Sequence, residues 1–256
     1  MLESYIREKL QQHDILIMAH AVVGYPSLDD NWRMLECMRD AGVALVELQL
    51  PFSEPIADGP VFVRANQSAL QKGLGRDEYF EFMSRAAVEF SFPLLFMGYY
   101  NSIFCMGEET FCQRLKHSGG RGYIVADLPP EQAGGLDKFA DNSGLAAIHI
   151  MTPTNSPQRL KQIASRSSGF IYCVARKGVT GAQTRLDDQT IGYINRCRDA
   201  STLPLALGFG IRTAADIELL QGHVDIAIIG TACLDTWEKE GETGFRRFLS
   251  SMTGLQ

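Results

Sequence analysis

PLALGFGIRTAADIELLQGHVDIAIIGTA, residues 204–232, holds two short apolar runs, 204–207 and 225–229. Each run ends in a glycine turn and leads into a segment of helical pattern. Continuously apolar runs of this kind are what a parallel sheet covered by helices requires. An antiparallel sheet with one wet face would alternate apolar and polar residues instead. Thr213 or Asp216 is placed to help the helix after the first run start. The glycines of GFGI and IIGTA let backbone N–H groups approach an anion at the mouth of each turn.

Working outward, the same unit recurs along the chain. Strand candidates fall at 15–22, 43–48, 93–97, 122–126, 146–150, 170–174, 204–207 and 225–229, each followed by an amphipathic segment. The first such segment begins at Ser27 with Asp30 three residues on, a capping-box-like start. It places Leu28, Trp32, Leu35 and Met38 on one face and stops at Gly42. Alternating β and α elements give a parallel sheet, open or closed. Eight units without a linker in 256 residues favour closure. The expectation is an α/β fold: a single (β/α)8 TIM barrel over residues 1–256, with an additional N-terminal helix in MLESYIREKLQQH.

Composition narrows the function. With 45% hydrophobic and 21% charged residues the chain reads as a globular enzyme. Its net charge of −6, with no basic run, argues against nucleic acid. A phosphorylated small molecule must then be held by local N–H groups and helix N-termini rather than by the field of the whole protein. Cys37, Cys105, Cys112, Cys173, Cys197 and Cys233 form no C-x-x-C pair and no metal spacing with the histidines, so they read as small buried hydrophobes and no metal is expected. The charged N-terminus is no secretory signal, and no apolar run reaches the roughly 18 residues of a membrane span. The expected location is the cytoplasm, away from membranes.

In a barrel the chemistry sits where strands end. VALVELQLPFSEPIADGP, residues 43–60, places Glu47 inside an apolar strand, on one face with Leu45 and Gln49. An inward carboxylate is costly unless it is hydrogen-bonded or protonated, and a general acid/base near neutral pH exploits such a position. The alternative is an internal Glu paired with a cation, for which no other strand run contains an obvious candidate. Asp58 follows in ADGP, where turn chemistry alone also accounts for an Asp. The turns after strands seven and eight predict a phosphate site. RKGVTGAQTR, residues 176–185, is a polar loop able to close over a ligand. In ADLPP, Asp127 contacts ligand or partner or ties the rim together, and the proline starts the next helix.

The segment 47–60, the ADLP turn and the GVTGA, GFGI and IIGTA turns occur in the order and spacing of the tryptophan synthase alpha subunit family, which the chain resembles over essentially its whole length. The resemblance implies a lyase of tryptophan biosynthesis that cleaves indole-3-glycerol phosphate by a retro-aldol reaction. It needs no cofactor, metal or Schiff-base lysine, and it passes indole to a beta subunit in an α2β2 assembly. By resemblance Glu47 is the general acid/base and Asp58 accepts the indole N–H. Tyr172 lies near the substrate, and Gly181, Gly210, Gly230 and Thr231 surround the phosphate. Loops containing Phe52, Glu54 and Asn101 would face the beta subunit.

The chain departs from the family pattern at several positions. Gln49 replaces a usual glycine, His20 a usual aromatic against the indole ring, Val22 a threonine and Thr231 a serine; Glu54 lengthens an aspartate, and Val61 and Val63 replace polar residues. His20 reads either as a satisfied core histidine or as a polar contact to a modified ring. These departures leave alternatives: a substrate-altered or catalytically weak paralogue that mainly regulates a beta partner, or another phosphate-binding barrel enzyme.

Overall fold

The computed structural model describes residues 1–175, 187–208 and 210–254. Its nine strands are β1 (Leu16–Val22), β2 (Leu45–Gln49), β3 (Leu94–Gly98), β4 (Gly122–Val125), β5 (Ala146–Ile148), β6 (Ile150–Met151), β7 (Ile171–Val174), β8 (Leu205–Gly208) and β9 (Ile226–Ile229). All pairings are parallel, in the order β5-β4-β3-β2-β1-β9-β8-β7-β6. The two ends of that order are consecutive in the chain, so the sheet closes on itself as a barrel.

A strand begins inside each of the eight expected windows, and at Gln49, Gly98, Met151 and Gly208 the pairing runs one residue past the window's end. The fifth differs in being two short strands: 146–148 pairs with β4, and 150–151 pairs with β7. Between them the His149 carbonyl accepts from Tyr172 N–H. Tilted strands of a closed barrel stagger their partners, so a short run can change neighbours part-way along.

Eleven helices occupy the described residues: α1 (Leu2–Lys9), α2 (Leu28–Asp40), α3 (Pro60–Gln71), α4 (Arg76–Glu89), α5 (Tyr100–Phe104), α6 (Glu108–His117), α7 (Gly134–Ser143), α8 (Pro157–Ala164), α9 (Asp188–Ala200), α10 (Ala214–Leu220) and α11 (Thr231–Thr253), the last broken at Gly241. Ser27 caps α2 by accepting from Asp30 N–H, and Thr213 caps α10 with Asp216 answering in a capping box. Two expectations are corrected here. The helix after ADLPP begins at Gly134 and not at a proline: Pro129 and Pro130 carbonyls instead accept from Gln132 and Ala133 N–H in a turn. Cys105 is exposed at the end of α5, whereas the other five cysteines are buried.

Side-chain parity divides the core into two layers. Ala19, Val46, Leu48 and Phe96 point outward against the helices. Met18, Leu45, Leu95, Met97, Ile124, Ile148, Ala206, Ile226 and Ile228 fill the barrel interior. Helix α1 plugs the N-terminal end: Leu2 and Ile6 join the interior cluster, and Tyr5 donates its hydroxyl to the Ala44 carbonyl at 3.1 Å. Burying those two side chains contributes about 1.5–3 kcal/mol each. With the lower end closed, the polar inward residues collect at the C-terminal end.

Candidate active site

Strand register builds the site. His20 of β1 lies beside Glu47 of β2, and Val22 beside Gln49. All four share the inward parity of Met18 and Leu45. Glu47 and Gln49 are 0% exposed and His20 is 5% exposed. His20 Nδ1 lies 2.8 Å from Glu47 Oε1, and its Nε2 lies 2.9 Å from Gln49 Oε1. Gln49 Nε2 in turn donates to Asp58 Oδ2 at 2.7 Å. A continuous hydrogen-bonded chain therefore runs from Glu47 through His20 and Gln49 to Asp58. Among the described residues Glu47 Oε2 has no partner, although it is fully buried.

Asp58 sits on the loop between β2 and α3, and three residues fix that loop. Asn66 of α3 accepts from Phe52 N–H at 2.9 Å and donates to the Phe62 carbonyl at 2.8 Å. The Tyr99 hydroxyl, after β3, accepts from Ala57 N–H at 3.1 Å and donates to Asp58. Phe52 stacks on the Tyr99 ring at 5.0 Å between centroids. The turn closes with Asp58 N–H donating to the Pro55 carbonyl.

The cavity above these groups has a volume of about 390 Å³. Phe62, Met97, Ile150, Tyr172 and Ile228 supply an apolar wall, while Glu47 and Asp58 supply acidic groups. At another part of the lining are Gly208, Gly210, Arg212, Gly230, Thr231 and Ala232, from the ends of β8 and β9. Gly230 precedes α11 without a side-chain cap, so the first N–H groups of a long helix remain available to an anion. A Cβ on Gly230 would stand 3.2 Å from the Phe62 ring, close enough that the ring would have to give by a few tenths of an ångström. Gly210 has a φ of 73°, a conformation that favours glycine.

Electrostatics follow from burial and neighbours. Burial lowers the pKa of His20, but the Glu47 charge and hydrogen bond, with Asp58 and Gln49, more than offset this and hold it above its ordinary value. Burial raises Asp58; hydrogen bonds from Gln49 and Tyr99 and the proximity of His20 only partly oppose that rise. Burial, and then the charges of Glu47 and Asp58, push Tyr172 well above the ordinary phenol range, so it lines the cavity as a neutral group.

Of the residues singled out in the sequence, Glu47, Asp58, Tyr172, Gly210, Gly230 and Thr231 line this one cavity. Gly181 and the loop 176–185 lie outside the described residues, as does Phe209 of the GFGI turn. Asp127 is exposed and accepts from Tyr100 N–H at 2.7 Å, tying the β4 rim to the start of α5. The expectation that no strand offers Glu47 a partner is corrected: His20 is that partner. Sequence reading also missed Tyr99 and Asn66. The signal for His20 was available in parity, since it and Glu47 occupy inward positions on neighbouring strands.

The model of the family described as tryptophan synthase alpha chain matches residues 6–252. The tryptophan synthase alpha chain of Desulforapulum autotrophicum is 47% identical, over 98% of this chain and 100% of its own length. That of Syntrophotalea carbinolica is 45% identical over the same shares. A Mycobacterium tuberculosis tryptophan synthase structure superposes with a TM-score of 0.92, covering 99% of this chain and 97% of its own, at 24% identity, a likeness of fold. A Pyrococcus furiosus structure, described as the tryptophan synthase α2β2 complex, superposes at 0.86 with 26% identity over 94% and 98% of the two chains.

Proposed function

The chain belongs to the tryptophan synthase alpha chain family, and from that membership we propose how its own residues carry out the cleavage of indole-3-glycerol phosphate. The reaction is a carbon–carbon lyase step of tryptophan biosynthesis. The indole ring occupies the apolar wall of Phe62, Met97, Ile150 and Tyr172, with its N–H donating to Asp58. The phosphate lies on the N–H groups at Gly210, Gly230 and Thr231, and Gly181 is assigned to the same group by the family resemblance. Between the two ends, the glycerol hydroxyl on the carbon attached to the ring faces Glu47.

Glu47 removes the hydroxyl proton and returns a proton to indole C3. As the hydroxyl becomes an aldehyde, the C–C bond breaks and its electron pair passes to the ring. Asp58 stabilises the positive charge that develops on the ring nitrogen when C3 is protonated. Indole and glyceraldehyde 3-phosphate leave, with no net change in protons. The observation that carries this assignment is Glu47 itself: it is fully buried, one oxygen is held by His20 while the other has no partner among the described residues, and it lines the same cavity as Asp58. A subunit serving only to regulate a partner has no evident need for such a group.

The partner is a tryptophan synthase beta subunit in an α2β2 assembly. It docks on the loop carrying Phe52 and Glu54 and on α5, which carries Asn101, where Ile56 and Phe104 are 73% and 68% exposed. Among the described residues no helix is long and apolar enough to cross a membrane, and we place the enzyme in the cytoplasm as one barrel domain. The test is Glu47→Gln, which should lose nearly all turnover while substrate affinity is largely kept. Wild-type turnover in that variant would remove Glu47 from the mechanism.

A further inference from the structure

Two of the residues that depart from the pattern of the resemblance, His20 and Gln49, are also the two that connect the carboxylates of the site. Chemistry at each junction restricts the next. Gln49 meets Asp58 with its amide nitrogen, because a carboxylate can only accept there, so its carbonyl oxygen is turned toward His20. A carbonyl cannot donate, hence His20 Nε2 must carry a hydrogen. With Nε2 protonated, Nδ1 faces Glu47 Oε1 at 2.8 Å with two arrangements open to it. Either the imidazole is neutral and Glu47 donates to Nδ1, or the imidazole is cationic and donates to the carboxylate. Each arrangement contains one proton between Nδ1 and Oε1.

We propose that His20 and Gln49 are positioning residues: Asp58 orients Gln49, Gln49 fixes the His20 tautomer, and His20 shares a single proton with Glu47 Oε1, leaving Oε2 as the oxygen that meets substrate. The inference rests on the assignment of Glu47 and Asp58 as the reacting carboxylates. When the imidazole holds the shared proton, Glu47 is a carboxylate stabilised by a cation at hydrogen-bond distance, ready to take the hydroxyl proton at Oε2.

Among the described residues, the charges that act on His20 are those of Glu47 and Asp58. The titratable groups about it are Glu47 on β2, Asp58 on the following loop, Cys233 on α11 and, across the cavity, Tyr172 on β7. Burial pushes the Cys233 thiol up to about 12 and Tyr172 well above its usual range, so both stay neutral. The remaining face of the imidazole is covered by Phe62, its ring centre 4.5 Å away.

The test combines kinetics and spectroscopy on the full chain with its beta subunit. In His20→Phe the acidic limb of kcat should move up by about one pH unit, because the ring nitrogen that shares the proton at Oε1 is gone. Turnover at the foot of that limb should fall roughly tenfold, with a smaller change in KM. Gln49→Leu should move the limb in the same direction, and it should add little in the His20→Phe background, since both act through one proton. An acidic limb that stays in place in His20→Phe, or fully additive effects, would overturn the proposal. Glu47→Gln separates the two levels of argument. If it retains turnover, the carboxylate assignment fails; if it is inactive while His20→Phe keeps the wild-type limb, only the relay fails. Nitrogen NMR of histidine-labelled wild-type protein is independent of activity and of how the variants fold. Nε2 should be protonated throughout the titration while Nδ1 changes state, and a bare Nε2 would refute the tautomer lock.

Discussion

Replacing Tyr99 with Phe removes one oxygen from the wall behind Asp58 and leaves the rest of the wall in place. The Tyr99 ring is 1% exposed and stacked on Phe52 at an interplanar angle of 18°, contacts that phenylalanine preserves. Two hydrogen bonds disappear: one accepted from Ala57 N–H and one donated to Asp58. Ala57 is exposed, so water can replace the first at little cost. The second involves a charged acceptor, and such bonds contribute about 1.5–3 kcal/mol. Asp58 is only half-buried and keeps its bond from Gln49, which puts the effect at the low end, about 1.5–2 kcal/mol. If Asp58 stabilises charge on the ring nitrogen in the transition state, that loss appears as roughly a ten- to thirtyfold drop in kcat/KM, at about 1.4 kcal/mol per tenfold. The sign of the pH effect is also determined. Asp58 is already raised by burial and loses a donor that opposes the rise, so the acidic limb should move to higher pH. Steady-state release of indole from indole-3-glycerol phosphate between pH 5 and 9 measures both. Wild-type kcat/KM within twofold together with an unmoved acidic limb would refute the role given to Asp58 and its support.

Further expectations concern the phosphate end, the loop and the buried histidine. Gly230→Ala places a Cβ 3.2 Å from Phe62, so the ring must shift beside the anion site; KM should rise about fivefold with kcat less affected, and an unchanged KM would count against the phosphate position. Asn66→Ala removes two hydrogen bonds from a fully buried side chain and leaves Phe52 N–H without that acceptor, which should cost about 2–4 kcal/mol in urea unfolding. A loss below about 1 kcal/mol would show that the loop does not depend on it. The pKa of His20 is raised from 6.5 in the folded protein, so its contribution to stability is complete below 6.5 and is lost as pH rises through the folded value. Wild type should therefore lose stability above pH 6.5 relative to His20→Phe, and parallel stability curves for the two would contradict the raised value.

The barrel was legible because its repeating unit is carried by local signals: apolar runs, caps and glycine turns. The edges were less so, since strand ends depend on ladder bonds and not on apolarity. Pro93 and Pro204 fall inside the expected windows yet cannot donate, and β3 and β8 begin one residue later. Gly208, which read as a turn residue, and Gly98, just past its window, still complete their ladders. The break at His149 depends on which strands β5 and β6 adjoin, which no local pattern states.

Glu47 was conspicuous as a polar residue in an apolar strand, and the glycine turns by their position after strands seven and eight. Its neighbour was harder to recognise. His20 acquires its partner only when β1 and β2 are set side by side in register, and Gln49 becomes a link only when the following loop returns Asp58 to within 2.7 Å of it. Residues that looked like two unrelated departures are one connected group in space. Tyr99 and Asn66 act from other elements on the loop that carries Asp58, a relation set by tertiary contact.

The most direct test of the whole account is indole release from indole-3-glycerol phosphate by the purified chain, alone and with a beta subunit, with Glu47→Gln as control. The account predicts slow release alone, faster release with the partner and almost none from the variant under either condition. No release from the folded wild-type chain in either condition, or equal release from Glu47→Gln, would contradict it.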